Sequence, residues 1–231
     1  MKKIAVIFYG APGSGKGTQA DLLTGAMDIF QFDIGSLVEG IIYEPKNKNN
    51  KIIQKQRDHF EAGRLMDPLW VAKVAEKRIR EISKAGLSIV LSGSLRTTEE
   101  TFGKGTKHGL LDVFEQEYGK KNIVFFLIQV TPAISVKRNS GRLICVICGR
   151  PLVYEYAKGK IKKCLTCGGK FRKRTLDKPD IIKKRVEAYK DQTAPVFKEL
   201  KKRGYKIIQI DGAREIYKVH QDVMRKLKAK L

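Results

Sequence analysis

An uninterrupted apolar run, Ile4 to Tyr9, precedes a glycine-rich segment near the start of the chain. A run without polar alternation predicts a strand that is buried on both of its faces. Helical periodicity separates this run from others like it, and that alternation predicts an α/β fold with a doubly wound, five-stranded parallel sheet. The other predicted strands are Phe30–Phe32, Ser88–Leu91, Ile123–Val130 and Tyr205–Ile210.

The intervening helices carry start and stop signals of their own. Asp67 before Pro68 is typical of a helix N-terminus, so we predict a helix that begins there and ends at Gly86. A helical pattern over 181–203 contains Pro195, which is expected to kink or break the helix. A last helix, predicted over 215–230, has an apolar stripe of Ile216, Val219, Val223 and Leu227.

Two segments do not fit the sheet pattern and are interpreted as inserted lobes. Residues 36–66 predict polar helices, whereas residues 141–178 are glycine-rich and basic and contain all four cysteines. We expect both lobes to be attached to one core, which is formed by residues 1–35, 67–140 and 179–231.

The charge balance favours a polyanionic partner. The chain of 231 residues has a formal net charge of +23, which suits a nucleotide, a nucleic acid or an acidic membrane surface. No apolar run approaches the ~18 residues of a membrane span, so we expect no membrane association. We also expect a cytoplasmic protein, whose cysteines stay reduced because that compartment is reducing.

The glycine-rich segment after the first predicted strand matches the phosphate-binding pattern GxxxxGK over Gly10–Lys16. Its glycines let backbone N–H groups surround phosphate oxygens, and Lys16 is expected to reach the outer phosphates. The Ser or Thr that usually follows the lysine is replaced by Gly17, and Thr18 comes one residue later. The hydroxyl that often holds Mg²⁺ is therefore displaced or absent.

The four cysteines form two CxxCG motifs separated by fifteen residues. This spacing is typical of a closed tetrahedral thiolate site, which predicts a structural zinc ion. Thiols that merely pack, or a redox pair, are the alternatives. The predicted metal ligands are Cys145, Cys148, Cys164 and Cys167.

Arginines surround the predicted cysteine lobe. Arg138 and Arg142 are spaced i, i+4, so on a helix they point the same way, and Arg174 and Arg185 follow the lobe. Arg96 comes after a predicted strand, at the carboxyl edge where open α/β sheets bind ligands. Planar guanidinium groups can hold the charge that spreads over a phosphoryl group during its transfer.

With these motifs in place, the sequence resembles the adenylate kinase family of nucleoside monophosphate kinases over nearly its whole length. The resemblance implies a P-loop kinase core with an acceptor-binding helical lobe and a zinc-ribbon lid. It also implies a monomer that transfers a phosphoryl group reversibly between ATP and AMP, with Mg²⁺ bound to ATP. The matching segments are GAPGSGKGTQA (10–20), GRLMDP (63–68), LSGSLRT (91–97), VKRNSGR (136–142), RTLDKPDIIKKR (174–185), TAP (193–195) and IDGAR (210–214).

The resemblance implies a role for each matching residue. The donor nucleotide would be bound by Gly13, Ser14, Gly15, Lys16, Gly17, Thr18, Arg142 and Arg214. Phosphoryl transfer would depend on Lys16, Arg96, Arg138, Arg142, Arg174 and Arg185. The acceptor would be bound by Gly35, Arg64, Leu65, Met66, Gly93, Arg96, Glu100, Arg174 and Arg185.

The acceptor side departs from the family pattern at four positions. Ile34 replaces a threonine, Glu39 an arginine expected on the acceptor phosphate, and Ser92 the aspartate of LDGFPRT. Glu100 stands where a glutamine is expected to read the acceptor base. An ionised Glu offers only acceptors, which suits guanine better than adenine. AMP is the expected acceptor on family grounds, and two alternatives stay open: relaxed or shifted base specificity, or a Glu100 that points into solvent.

A binding protein without strong transferase activity is the rival interpretation. Residues 141–178 contain eleven Lys and Arg against two acids, so a basic zinc ribbon could grip RNA while the phosphate loop regulates it. Tyr154, Tyr156 and Phe171 could stack on bases, although packing inside a small ribbon is the alternative for them. We expect nucleic acid to be the less favoured partner.

Overall fold

The computed structural model describes residues 3–93, 95–152 and 161–231. Tyr154 and Tyr156, named above as candidate stacking residues, lie outside these ranges, as does Ser94. The strands, in chain order, are β1 (Ala5–Tyr9), β2 (Ile29–Phe32), β3 (Ser88–Ser92), β4 (Ile123–Gln129), β5 (Leu143–Cys145), β6 (Pro151–Leu152), β7 (Phe171–Arg172) and β8 (Ile207–Asp211).

The predicted sheet is confirmed. Five strands pair in the order β2-β3-β1-β4-β8, and every pair in this sheet is parallel. The strand β1 lies at the centre, so the segment that follows it reaches the middle of the carboxyl edge. Helices connect the strands, and this is the doubly wound α/β arrangement predicted from the sequence.

The α-helices, in chain order, are α1 (Lys16–Ala26), α2 (Ile34–Tyr43), α3 (Lys51–Glu61), α4 (Pro68–Lys84), α5 (Thr98–Phe102), α6 (Leu110–Tyr118), α7 (Pro132–Ser140), α8 (Pro179–Ala188), α9 (Ala194–Lys202) and α10 (Ile216–Lys228). The predicted start of α4 is confirmed, because the Asp67 carboxylate accepts a hydrogen bond of 2.8 Å from the Trp70 N–H. This bond satisfies one of the unpaired donors of the first helical turn.

Alternation along β1 divides the core into two layers. Ala5, Ile7 and Tyr9 face a cluster that includes the buried sides of α4, α6 and α9. Val6 and Phe8 face a second cluster that includes α1 and α10. Both sides of the strand are therefore covered, which explains the continuous apolar run in the sequence.

The stripe predicted on the last helix is confirmed at three of its four positions. Val219, Val223 and Leu227 are buried in the second cluster. Ile216 differs, because it is only half-buried and lines the cleft described below.

The helix predicted over 181–203 is interrupted, as expected, but the interruption comes before Pro195. A π-helical turn, Tyr189–Thr193, separates α8 from α9, and Pro195 lies in the first turn of α9. Proline has no N–H, and its ring would clash with the carbonyl four residues earlier in a regular helix. The wider π-helical turn therefore interrupts the helix one turn ahead of the proline.

The segments interpreted as lobes have the expected character. The first contains α2 and α3, and α2 begins at Ile34, two residues before the predicted lobe. In the second, β5 pairs with β6 and with β7 in a small antiparallel sheet.

Candidate active site

A cleft of about 480 Å³ lies at the carboxyl edge of the large sheet. Tyr9 at the end of β1, Ser92 at the end of β3 and Gly212 just after β8 all line it. Open α/β sheets bind ligands at this edge, because the loops and helix N-termini converge there.

The segment between β1 and α1 forms a tight loop at the centre of the cleft. Gly13 has a φ of 77°, and a Cβ there would lie 2.6 Å from the Asn139 side-chain nitrogen. Gly15, with a φ of 100°, is the N-cap of α1. Both positions therefore require glycine, and the N-terminus of α1 points into the cleft as a site for anions.

Lys16 folds back onto this loop. Its Nζ donates hydrogen bonds to the carbonyl oxygens of Gly10, at 2.8 Å, and Ala11, at 2.9 Å. Burial lowers the pKa of Lys16 to about 7, and the nearby Arg185, Arg96 and Arg142 lower it further. An anion bound beside Lys16 would replace its two carbonyl contacts. The anion would also raise the pKa of the lysine and so favour its charged form.

Arg185, which also lines the cleft, has a lowered pKa as well. Burial lowers its pKa to about 9, with contributions from Arg96, Arg174 and Arg142. Guanidinium groups ordinarily stay charged well above pH 12, so this lowering reflects first the burial of Arg185 and then the cations packed around it. A ligand with several negative charges would relieve their repulsion.

Three of the predicted arginines are fixed by the protein itself. Arg142 holds the buried Asp177 carboxylate through two bonds of 2.7 Å and 2.5 Å. Arg138 donates a bond of 2.8 Å to the carbonyl of Gly212. Arg214 pairs with Asp222. Such bonds limit the rotamers of long side chains before any ligand binds.

Sequence reasoning placed many residues in one site, and the structure brings them to one cleft. Every non-cysteine residue named above as a donor, acceptor or transfer residue lines it. Of the four departures, Ile34, Ser92 and Glu100 line the cleft, whereas Glu39 does not appear among the described lining residues.

The alternative in which Glu100 points into solvent is wrong. Glu100 is 4% exposed, although it lines the cleft. One carboxylate oxygen accepts a bond of 2.8 Å from the Leu95 N–H, and the other accepts a bond of 3.0 Å from the Arg96 N–H.

Tyr9, Tyr189 and Thr193 are among the cleft residues that sequence reasoning missed. Tyr9 is 2% exposed, and among the described residues nothing hydrogen-bonds to its hydroxyl. Tyr189 and Thr193 reach the cleft from the π-helical turn. Tyr9 could have been found from its place as the last residue of a central strand. The other two depend on the irregular turn, which the helical pattern does not reveal.

The four cysteines form one cluster outside the cleft. Their Sγ atoms all lie within 4.8 Å of one another, and the four thiols are free. Two of the distances are 3.4 Å, between Cys145 and Cys167, and 3.7 Å, between Cys148 and Cys164. Tetrahedral zinc with Zn–S bonds of about 2.3 Å requires sulfurs about 3.8 Å apart, so the donor set fits a zinc ion.

Backbone N–H groups in the two CxxCG motifs favour the thiolate form of the cysteines. The N–H groups of Cys167 and Thr166 lower the pKa of the Cys164 thiol to about 6. The N–H groups of Cys148 and Ile147 lower the pKa of the Cys145 thiol in the same way. Metal-binding thiols must be deprotonated, so this environment suits a metal ligand.

Comparison with known proteins identifies relatives of this chain. Residues 9–142 match the family model described as an AAA domain. An adenylate kinase of Methanocella arvoryzae is 31% identical over 94% of this chain and 95% of the relative. An adenylate kinase of Caldicellulosiruptor bescii is 30% identical over 96% of this chain and 98% of the relative. The chain belongs to the adenylate kinase family.

This family membership also gives the class of reaction. The chain is an ATP-dependent nucleoside monophosphate kinase, which is a phosphotransferase. The adenylate kinase of Syntrophomonas wolfei, at 28% identity over 97% of this chain and 99% of the relative, supports the same class. These matches favour the kinase over the rival interpretation of a nucleotide- or RNA-binding protein. Among the described residues, no helix is long and apolar enough to cross a membrane.

Removal of the metal should unfold the lid around the cysteines, over residues 143–172. Metal binding and local folding are linked, so we expect chelation or Cys145→Ser to lower the melting temperature by on the order of 5 °C or more. Leu165→Ser is the control, because Leu165 lies between the cysteines of the second CxxCG motif and is 84% exposed. This variant should keep both the metal and the melting temperature. Purified protein without stoichiometric metal, and with a melting curve unchanged by chelation, would contradict this.

Proposed function

We propose that this kinase transfers the γ-phosphoryl group of ATP to AMP and forms two ADP. The observation that carries the proposal is that one cleft has the phosphate loop at its centre and cations from several elements around it. In this reaction an oxygen of the AMP phosphate forms a bond to the γ-phosphorus. The bond from that phosphorus to the bridging oxygen of ADP breaks, so no covalent enzyme intermediate is needed.

The donor nucleotide is assigned to the phosphate loop. The N–H groups over Gly13–Thr18 and the N-terminus of α1 would bind the triphosphate, with Lys16 on its outer phosphates. Arg142 and Arg214 would flank the donor nucleotide, each held by a carboxylate partner. Such preorganised charges lose little conformational entropy when the nucleotide binds.

The transferring group is assigned to the ring of cations. Lys16, Arg96, Arg138, Arg174 and Arg185 would share the negative charge that develops on its equatorial oxygens. Burial and the repulsion among these cations lower the pKa values of Lys16 and Arg185, which supports this role, because a group with several charged oxygens would favour the charged form of both.

The acceptor is assigned to the side of the cleft nearest α2 and α3. Arg96 would bind its phosphate, while Gly93, Gly35 and the segment Arg64–Met66 would enclose its nucleoside. The altered positions Ile34 and Glu100 lie at this end, so AMP as the first acceptor is compatible with a relaxed or shifted preference among bases.

Oxygen ligands of the types that Mg²⁺ prefers line the cleft, in Thr18, Asp33 and Ser92. The charge of Asp33 acts on Lys16, so its carboxylate lies near the phosphate loop. When bound with ATP, Mg²⁺ would supply charge neutralisation on the phosphates. The hydroxyls and the Asp33 carboxylate would hold it chiefly through water and phosphate oxygens.

The remaining assignments rest on the same resemblance. We assign structural zinc to the cysteine cluster, because four thiolates leave no open position for a substrate. A monomer in the cytoplasm remains our expectation for this kinase.

A coupled assay with ATP and each of AMP, GMP, CMP and UMP tests the function. We expect transfer to AMP that is lost by at least a hundredfold in Lys16→Gln, which removes the charge but keeps much of the side-chain length. Lys218→Gln, on the surface of α10, is the matched control. Salt-sensitive oligonucleotide binding without transfer to any monophosphate would favour the rival function instead.

Nucleotide affinity should depend on pH through Lys16. The free protein holds this pKa at about 7, and bound phosphates would raise it, so binding above pH 7 requires uptake of a proton. We therefore expect the dissociation constant of a non-hydrolysable ATP analogue to rise with pH between 7 and 9, by up to about tenfold per unit.

Calorimetry in two buffers of different ionisation enthalpy measures the proton uptake directly. Lys16→Arg, which stays charged, should bind the analogue without this uptake at pH 8. Equal proton uptake by both proteins would contradict the assignment.

Mg²⁺ should bind more weakly to this protein than to one that has the aspartate of the family pattern, because Ser92 replaces that carboxylate. We expect Ser92→Asp to lower the Mg²⁺ concentration that half-saturates the ATP complex by several-fold, and Ser92→Asn to leave it unchanged. Calorimetric titration of the ATP complex with Mg²⁺ gives the comparison. An unchanged value in Ser92→Asp would shift the role to Asp33, and Asp33→Asn would then weaken binding.

A further inference from the structure

We propose that Glu100 is a positioning residue, which holds Arg96 in place through the backbone, and that it does not read the acceptor base. The inference rests on the proposed function, in which Arg96 binds the acceptor phosphate. It replaces the base-reading role that the resemblance implied for Glu100.

Both oxygens of the Glu100 carboxylate accept hydrogen bonds from the backbone of its own chain. The donors are the N–H groups of Leu95 and Arg96, at 2.8 Å and 3.0 Å. The Glu100 N–H in turn donates a bond of 3.0 Å to the Thr97 hydroxyl, which caps the short helix α5. Each oxygen keeps a further lone pair, but Glu100 is 4% exposed, so a base could reach it only by moving the buried structure around it.

The backbone at Leu95 is shaped to make these bonds. Leu95 has a φ of 54°, a left-handed conformation that residues other than glycine rarely adopt. It points two successive N–H groups to one side, where they form a concavity for an anion. The Leu95 side chain is completely buried, so core packing and the carboxylate together stabilise the strained residue.

The same segment sets the position of the Arg96 guanidinium. Its Nε donates to the carbonyl of Gly93. A Cβ built on Gly93 would lie 3.4 Å from the Arg96 Nη2 and 3.8 Å from the Lys16 Cε. Arg96 and Lys16 thus approach each other across Gly93, where donor and acceptor phosphates would meet. A rotation of the chain at Leu95 would move the guanidinium away from this point.

A carboxylate suits this environment better than the glutamine of the family pattern. That pattern, LDGFPRT, has proline at the position of Leu95, and proline presents no N–H. In this chain two N–H groups face residue 100, and a glutamine would turn its own NH₂ donors toward one of them. The replacements at 95 and 100 are therefore complementary.

The test is a double-mutant cycle between Glu100→Gln and Arg96→Ala, with steady-state kinetics for AMP, GMP, CMP and UMP. We expect Glu100→Gln to raise the acceptor KM about tenfold or more, by a similar factor for every base, while ATP affinity stays within about twofold. In the Arg96→Ala background the same substitution should have little further effect, because the two residues act as one unit.

Glu99→Gln is the matched control, since Glu99 lies on the same short helix and, among the residues that the structure describes, pairs only with Lys104, at 2.7 Å on the surface. It should leave all constants unchanged. If Glu100→Gln does not fold, as judged by its melting curve and ATP binding, Glu100→Asp is used in the same cycle. Asp keeps both acceptors on a shorter side chain and should give a smaller effect of the same kind.

Each outcome decides between the interpretations. Effects that differ among bases, or that add fully to those of Arg96→Ala, would show a base-reading or independent role and overturn the inference. Unchanged acceptor kinetics in Glu100→Gln would also overturn it. A wild-type enzyme that transfers to no monophosphate would overturn the proposed function itself, and the inference with it.

Discussion

Mutual repulsion among cations is the interaction on which the cleft depends. Lys16 from α1, Arg96 from the segment after β3, Arg142 just after α7 and Arg185 from α8 converge in the cleft, and their repulsion adds to the burial that lowers the pKa values of Lys16 and Arg185 to about 7 and 9. Because different elements carry these charges, the free protein gains by keeping them apart. A bound polyphosphate reverses that preference, so its binding energy can draw the elements together and exclude water.

The lid is connected to this electrostatic system by one ion pair. Arg142 directly precedes β5 and Asp177 follows β7, so their bidentate contact, with an N–O distance of 2.7 Å, joins the two ends of the cysteine lobe at its base. Four thiols within 4.8 Å of one another can fold the lobe locally around a metal. The arginines at its two ends, Arg142 and Arg174, line the cleft, so a movement of the lobe about that base would change their positions relative to a bound phosphate.

The sequence predicts the parts of this molecule whose physics is local or periodic. The central strands are continuous apolar runs because both faces are covered, and the phosphate loop requires glycine at Gly13 and Gly15 for reasons of backbone angle and space. The π-helical turn at Tyr189–Thr193 was not predicted, since a helical pattern does not show where a helix widens to accommodate a proline. The partners of Glu100 were not predicted either, because they are N–H groups that only the left-handed Leu95 turns toward it.

Two of the four departures on the acceptor side, Glu39 and Glu100, can be explained together. With Glu39 where the family pattern has an arginine, α2 offers no cation at that position, and under the proposed assignment Arg96 would hold more of the acceptor phosphate. A guanidinium that binds the phosphate without a second cation has to be oriented more accurately than one of a pair, because no other cation would compensate if it were misoriented. A carboxylate with two fixed N–H partners restricts the chain on both sides of the Leu95–Arg96 peptide bond, whereas an amide would restrict one. The loss of one cation therefore favours a more rigid support for the cation that remains.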